Sequence, residues 1–268
     1  MFQVFDIHIF SVNTNEVRSK CCLSRVFGLF STIMKIKPAV AVLGLIFLSS
    51  ILALGQGTVV VNDPTKKAVE GKWSKAEEEI FLNEARPKVK KMITEDVCEE
   101  SVEVAGVARG SFSKPNSKQT LIFYQYCETG NGFGRVGLVL IENNRLSGNY
   151  VADAGWTVAI GAVPDINQNG LDEFTLVYSG GLHQGQGGTG VDVMEFFGNT
   201  PKGIGWYKAE EFDETEASDA WKLTAKPGRA PVFYRQKYTS AKNNKWRRIG
   251  ANTVFKLGKA YSKFTVVK

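Results

Sequence analysis

From residue 96 onward, the chain is a succession of short β-prone segments separated by turn residues. Thr120–Tyr126 is rich in β-branched and aromatic residues, and Val136–Ile141 is an apolar run broken only by Gly137, as in a buried strand. Further candidate strands, many of them separated by glycine clusters, are Trp156–Ala162, Phe174–Tyr178, Val191–Phe197, Pro231–Tyr238, Lys245–Ile249, Asn252–Leu257 and Phe264–Val267. A sandwich, a barrel or part of a propeller fits this pattern. We expect a mainly β domain over residues 96–268, with antiparallel sheets in a propeller-like or sandwich-like arrangement.

Residues 56–95 are interpreted as a polar lead that contains one short helical segment. Ser74 precedes Glu77 by three positions, which is the pattern of a capping box. A partial apolar stripe follows at Ile80, Phe81 and Ala85. Pro87 predicts that this helix kinks or ends near Arg86.

A secretory signal peptide is predicted at residues 34–55. A short basic start, Met34–Lys37, precedes an uncharged apolar run, Pro38–Leu54. The run leads into a small-x-small tripeptide, the pattern that a signal peptidase reads. Cleavage is therefore expected between Gly55 and Gln56.

Removal of this peptide leaves 268 − 55 = 213 residues, enough for one domain with a real core or for two small ones. Residues 1–33 show no clear hydrophobic period and are interpreted as an unstructured upstream extension or a mis-assigned start. The mature protein is then expected to be secreted or periplasmic. The alternative is an uncleaved membrane anchor, because an apolar run of about 17 residues is at the short limit for a bilayer span.

The mature chain keeps two cysteines, Cys98 and Cys127. An even count in an exported protein predicts a disulfide between them. The alternative is a pair of buried, reduced thiols, because a buried cysteine packs like a small apolar residue.

The sharpest local motif is the loop from Asp165 to Glu173. Side-chain oxygens occupy its positions 1, 3, 5 and 9, at Asp165, Asn167, Asn169 and Glu173. Gly170, at position 6, permits a tight turn, and the carbonyl of Leu171 can add a backbone oxygen. Calcium prefers six to eight hard oxygen ligands in flexible geometry, and this spacing supplies most of them.

The loop is not an EF-hand, because position 12 is Leu176 where that motif needs a bidentate Glu, and a strand-like segment follows. The strand–loop–strand setting over residues 161–178 resembles the calcium loop of FG-GAP (integrin-alpha-type) propeller repeats and of the related VCBS repeats. In that family the residues at positions 1, 3, 5 and 9 hold calcium, which here implies Asp165, Asn167, Asn169 and Glu173. The family repeats its loop several times, whereas this chain has one copy.

Only two of these four side chains are charged, so the expected affinity for calcium is weak, with a dissociation constant of roughly 10⁻⁴–10⁻³ M. The alternative interpretation is an Asx-rich turn without an ion, in which Asn and Asp side chains bond the backbone of their own loop.

No recognisable catalytic motif accompanies this loop. His183 is the only histidine of the mature chain, and the sequence has neither a Gly-x-Ser-x-Gly nor a His-Glu-x-x-His motif. Carboxylate pairs such as Glu210/Glu211 could perform glycosidase chemistry. The stretch Ala209–Asp219 is instead interpreted as an acidic surface loop, and no catalytic residue is assigned.

The C-terminal region interleaves aromatic and basic residues, such as Tyr238, Trp246 and Arg248. This pattern suits single-stranded nucleic acid or an anionic glycan, and a half-buried strand produces it as well. The net charge of the mature chain, (33 − 5) − (27 − 2) = +3, is too mild to imply a polyanion by itself. Export disfavours nucleic acid, so a cell-surface glycan or protein is the expected partner, without stable membrane insertion once the signal is cleaved.

The sequence therefore predicts an exported, β-rich, non-enzymatic binding or surface-interaction module with one structural calcium loop. An exported hydrolase whose carboxylates converge only in the fold is one alternative. An ion-free structural protein of the cell envelope is the other.

Overall fold

The computed structural model describes residues 57–67, 71–91, 102–130, 133–180, 186–213, 218–240 and 245–268. These residues belong to one compact unit, Gly55–Lys268. The predicted signal peptide and the extension before it lie outside the described residues, as do Cys98 and His183.

Twelve strands make up the sheet of the described chain. Their bounds are β1 Val59–Asn62, β2 Glu103–Gly110, β3 Gln119–Gly130, β4 Phe133–Glu142, β5 Arg145–Val163, β6 Glu173–Ser179, β7 Gln186–Phe197, β8 Thr200–Asp213, β9 Ser218–Lys226, β10 Val232–Ser240, β11 Trp246–Phe255 and β12 Thr265–Val266.

The strands follow one another as an antiparallel ladder from β2 to β11, with β1 added on β9 and β12 added on β5. The long strand β5 takes part in two layers. Its residues 145–155 pair with β4 and form the first layer with β2 to β4, whereas its residues 156–163 pair with β6 and form the second layer with β6 to β11. The described sheet does not close on itself. The prediction of a mainly β, antiparallel fold is confirmed, and the arrangement fits a sandwich or an open sheet. A propeller is not shown.

Alternate residues of β3 enter two different apolar clusters. Leu121 and Phe123 face the second layer, where they join Phe174 and Leu176 of β6 in what we call the inner cluster. Ile122 and Tyr124 point to the opposite face and join a helix cluster with Ile80, Phe81 and Val89. Burial of both faces explains why the sequence here is a continuous apolar run without alternation.

A third, outer cluster lies on the far side of the second layer. It is formed by buried residues of β5 and of the later strands, among them Val163, Val191, Tyr207 and Leu223. Ile166, from the loop between β5 and β6, is 0 % exposed and belongs to this cluster. The candidate calcium loop is therefore anchored in the core at its second residue.

The helical segment consists of α1 (Lys75–Ile80), a π-helical segment (Phe81–Ala85) and α2 (Arg86–Lys90). The predicted capping box is present, since Ser74 Oγ accepts from the backbone N–H of Glu77 at 3.3 Å and the Glu77 side chain accepts from the Ser74 N–H. The predicted break near Arg86 is a change from π to α geometry. Pro87, in the first turn of α2, has no N–H for the i→i−4 ladder. Within the described residues, we find no helix that is both long and apolar enough to cross a membrane.

Candidate functional site

The loop of residues 164–172 joins β5 to β6, and Glu173 is the first residue of β6. The predicted strand–loop–strand setting is therefore present. The Ile166 carbonyl accepts a hydrogen bond from the Gly228 N–H at 2.9 Å. On the other side, Asp172 Oδ2 accepts from the Ser111 N–H at 2.7 Å, and the Asp172 N–H donates to the Ser111 carbonyl at 3.0 Å. These bonds fix the loop to the turn before β10 and to the turn before β3.

Short side chains organise the backbone inside the loop. Asp165 accepts from two N–H groups, that of Asn169 at 3.1 Å and that of Gly170 at 2.7 Å. Asn167 Oδ1 also accepts from the Asn169 N–H at 3.1 Å, and Asn169 Oδ1 accepts from the Leu171 N–H at 2.8 Å. Gly170 has φ = 87°, a left-handed conformation that glycine adopts without strain. The loop is thus an Asx-rich turn whose side-chain oxygens face its own backbone.

Glu173 has an incomplete set of hydrogen bonds. It is 0 % exposed, and its Oε2 accepts from the Ile166 N–H at 2.8 Å. Its Oε1 is buried without a hydrogen-bond partner, and it is the one carboxylate oxygen in that condition among the described residues. Burial, together with the nearby charges of Asp165 and Glu195, raises the pKa of Glu173 to about 7. A buried carboxylate is costly unless it is paired or holds a cation.

Glu195 of β7 is a residue of this site that the sequence did not assign. Its Oε2 accepts from the Asn167 Nδ2 group at 2.8 Å, and Asn169 Nδ2 lies 3.4 Å away. Binding of both amide nitrogens turns the Oδ1 atoms of Asn167 and Asn169 toward the loop backbone. The signal in the sequence is that Glu195 interrupts the apolar run of β7.

The other interruption of this run, Asp192, has a structural role. It is fully buried, and its two oxygens accept from the N–H groups of Tyr261 and Ser262, each at 2.8 Å, and from Ser262 Oγ at 2.6 Å. This carboxylate has its partners and fastens the C-terminal segment to β7. A charge within a buried strand is therefore not by itself a sign of a metal site.

Only two carboxylates of the loop are candidate ligands, so a metal ion would also need the uncharged amide and carbonyl oxygens as ligands. In the described part of the chain, no three His, Cys, Asp or Glu side chains come together as metal ligands. In such a site Asp165 and Glu173 would contribute the two carboxylates, and the other ligands would be the amides of Asn167 and Asn169 and the carbonyl of Leu171. Such an all-oxygen set suits calcium rather than zinc. Glu195, bonded to the amide nitrogens, would belong to the outer shell of such a site.

A separate pocket of the described chain has a volume of about 630 Å³. Its walls come from β1, β2, β5 and β6 and include Val60 and Val158, while Asp63 and Glu210 contribute carboxylates. Burial raises the pKa of Glu210. Asp63 is engaged, because one oxygen accepts from Thr65 and the other lies 3.0 Å from Lys222 Nζ.

The interpretation of residues 209–219 as a surface loop is wrong for the described part of that stretch. Residues 209–213 belong to β8, and residues 218–219 belong to β9. Ala209 is buried and Glu210 is half-buried. The acidic composition did not reveal that β8 ends and β9 begins here. The backbones of Glu210 and Ala220 pair whatever the polarity of their side chains.

Cys127 is 0 % exposed and packs in the helix cluster. Its predicted partner, Cys98, lies outside the described residues, so the disulfide stays a prediction. His183 lies outside them too.

Comparison with protein-family models, with curated proteins and with solved structures found no match for this chain. The resemblance of residues 161–178 to an FG-GAP loop therefore rests on the motif alone.

Proposed function

We propose that this chain is an exported, non-enzymatic binding module in which the loop Asp165–Glu173 holds one structural calcium ion. The observation that carries the proposal is the buried Oε1 of Glu173, which has no hydrogen-bond partner. The loop around it supplies further oxygens at the spacing that calcium loops use.

Protonation of Glu173 would not satisfy its buried Oε1 as a bound cation would. A protonated Glu173 would carry a buried O–H donor that also needs a partner, and an unsatisfied buried group costs about 1–3 kcal/mol. A cation at Oε1 satisfies the oxygen and favours the ionised form of Glu173. It also offsets the repulsion that Asp165 and Glu195 exert on this carboxylate.

The ion would hold the loop between layers of the fold. Ile166 packs in the outer cluster, Asp172 is bonded to the turn before β3, and Glu173 begins β6. With two formal ligand charges, binding is weak, at roughly 10⁻⁴–10⁻³ M, as in extracellular modules. This range agrees with the proposed secreted or periplasmic location, where the loop acts as a single copy of an FG-GAP-like unit.

The large pocket supports binding rather than hydrolysis. A hydrolase of the glycosidase type needs two available carboxylates. Both oxygens of Asp63 are engaged by Thr65 and Lys222, so Glu210 is left as the single available carboxylate of this pocket. Apolar side chains such as Val60 and Val158 line this pocket together with several polar and charged ones, such as Lys67 and Arg109, and a mixed lining of this kind is common in small-molecule sites.

Thermal unfolding of wild type, Asp165→Asn and Asp172→Asn, with calcium and with chelator, tests the calcium site. Both substitutions remove one negative charge from the loop, but Asp172 is bonded to Ser111 and is no proposed ligand. Wild type should gain about 2.7 kcal/mol at 100 times the dissociation constant. Asp165→Asn should lose this gain, whereas Asp172→Asn should be less stable overall and keep it.

Equal calcium shifts in all three proteins, or no shift in wild type at calcium about 100 times the expected dissociation constant, would return the loop to an ion-free Asx-rich turn. The ion-free structural protein would then be the better description.

A further inference from the structure

The C-terminal region, residues 221–268, differs strongly in charge from the rest of the chain. From Trp221 to Lys268 there are thirteen Lys and Arg residues and no Asp or Glu. Residues 1–220 hold 33 − 13 = 20 basic and 27 acidic residues, a net of −7. The mild overall charge therefore conceals a strongly cationic C-terminal region, and such a field attracts anions.

Strand pairing sorts this region into two faces. Residues paired across an antiparallel ladder point to the same face. Tyr238 lies opposite Arg248, Ser240 lies opposite Trp246, and Tyr234 lies opposite Val254. Lys226 of β9 lies on this face too, since it is two residues from Thr224, the partner of Tyr234. We call it the Tyr238 face, comprising Lys226, Tyr234, Tyr238, Trp246, Arg248 and Val254.

On the opposite face of β10, the cations are used inside the fold. The guanidinium of Arg235 lies 4.4 Å from the ring centre of Phe255 and 5.5 Å from that of Trp221. Lys237 Nζ is 2.7 Å from Asp219 Oδ2 and lies over the same Trp221 ring at 5.7 Å. These two residues pack and neutralise their own neighbours, so they are poor candidates for a partner.

On the Tyr238 face, Arg248 is exposed and oriented. Its Nε donates to Gln236 Oε1 at 2.8 Å. Gln236 is only 5 % exposed, and its amide nitrogen donates to the Ile249 carbonyl at 2.8 Å, which fixes the acceptor. The bond at Nε leaves the two terminal nitrogens of the guanidinium to donate as a fork, the geometry that a carboxylate or sulfate accepts.

Three half-buried aromatic side chains, Tyr234, Tyr238 and Trp246, share this face with Arg248. Each ring combines a flat apolar surface with a polar handle. A linear sugar chain offers apolar ring faces and anionic groups along one direction, and an antiparallel ribbon presents its side chains along a line in the same way. The juxtaposition of rings and an oriented cation thus matches a charged sugar polymer.

We infer that the Tyr238 face binds an anionic polysaccharide, with Arg248 as the fork for a carboxylate or sulfate group and the aromatic rings as stacking surfaces. The choice of a polysaccharide over a nucleic acid rests on the proposed function, in which the protein works outside the cytoplasm. Arg248 and Gln236 form the part of the site that is built before a ligand arrives.

The test measures binding of the full chain to heparin, with neutral dextran and a single-stranded oligonucleotide as comparison probes. Arg248→Gln is compared with Arg247→Gln, which removes the same charge from the neighbouring residue on the other face. Arg248→Gln should weaken heparin binding about tenfold, since a hydrogen bond to a charged group is lost. Arg247→Gln should weaken it less than about threefold, and dextran should not bind.

Equal losses in the two variants would overturn the assignment of the face, as would absence of heparin binding in wild type. Oligonucleotide binding as tight as heparin binding, and equally sensitive to Arg248→Gln, would replace the polysaccharide by a nucleic acid. Repeating the measurement on Asp165→Asn separates the two proposals, because the loop shares no residue with the Tyr238 face. A failed calcium site with an intact Arg248 effect leaves this inference standing.

Discussion

Glu77 and Glu173 are both buried glutamates, at 5 % and 0 % exposure, and their surroundings differ completely. Glu77 Oε1 accepts from Arg109 at 2.7 Å and from Thr120 at 2.6 Å, and its Oε2 accepts from Arg109 at 2.8 Å and from the Ser74 N–H at 2.6 Å. The hydrogen bond from Arg109 is the main cause that lowers the pKa of Glu77 to about 2.

Glu173, by contrast, has one backbone donor, one oxygen without a partner and a pKa raised to about 7 by burial. The comparison teaches that burial of a charge does not mark a site. A carboxylate with a full set of donors is a structural tie between the helix and β2. A carboxylate with one oxygen that lacks a donor, in a loop rich in other oxygens, is the one on which the proposed calcium site is based.

The largest expected effect follows from removal of the satisfied carboxylate. Glu77→Ala should destabilise the fold by about 2–3 kcal/mol, because it removes the acceptor of Thr120 and of the Ser74 N–H and the charged partner of the half-exposed Arg109. Chemical denaturation measures this loss. Glu78→Ala is the matched control, since Glu78 is exposed in the same helical turn. A loss below 1 kcal/mol for Glu77→Ala would mean that the network is not structural.

The two carboxylates should also give opposite dependences of stability on pH. The pKa of folded Glu77 lies below its ordinary value of 4.5, so its contribution is present above 4.5 and is lost as pH falls toward about 2. The pKa of folded Glu173 lies above 4.5, so without calcium stability falls as pH rises from 4.5 through about 7.

Unfolding curves of wild type and Glu173→Gln in chelator measure the second slope. Wild type should lose about 2 kcal/mol between roughly pH 5 and pH 8 relative to the variant. Calcium should remove most of this loss by favouring the ionised form. Identical pH profiles for the two proteins would show that Glu173 is not perturbed, and the contrast with Glu77 would fail.

The outer shell of the loop should have a smaller effect. Glu195→Ala removes the acceptor for the amide of Asn167 and should weaken calcium binding about tenfold, as loss of second-shell partners does. Calorimetric titration measures the dissociation constant. A loss as large as that of Asp165→Asn would instead make Glu195 a direct ligand.

The smallest effect is expected at the capping box. Ser74→Ala removes the oxygen that accepts from the Glu77 N–H and should cost about 1 kcal/mol. The Ser74 N–H still donates to Glu77, so the carboxylate keeps its donors. A change in the acid limb of the pH profile as large as that of Glu77→Ala would show that the cap, rather than Arg109, holds the carboxylate.

Local patterns in the sequence predicted the parts of the fold that depend on near neighbours. The capping box at Ser74 and Glu77, the break near Arg86 and the strand–loop–strand setting of Asp165 are all present. Each depends on residues a few positions apart, whose backbone geometry the side chains decide directly. The interpretation of the acidic stretch after Ala209 as a surface loop was wrong, because acidic composition was taken as a sign of exposure. Pairing with β9 places these residues in the sheet.

Only the tertiary structure decided which charges are satisfied. Arg109 reaches Glu77 across 32 positions, and Glu195 reaches Asn167 across 28. The capping box predicts one partner of Glu77, but the local sequence does not show that Arg109 and Thr120 also bind it or that Tyr261 and Ser262 bind Asp192. The sequence by itself determined the β-rich class and the spacing of oxygens in the loop, because alternation and turn chemistry are local. The layering of the sheet, the incomplete set of hydrogen bonds on the buried Glu173 and the two faces of β10 and β11 arise from long-range pairing, which local patterns do not encode.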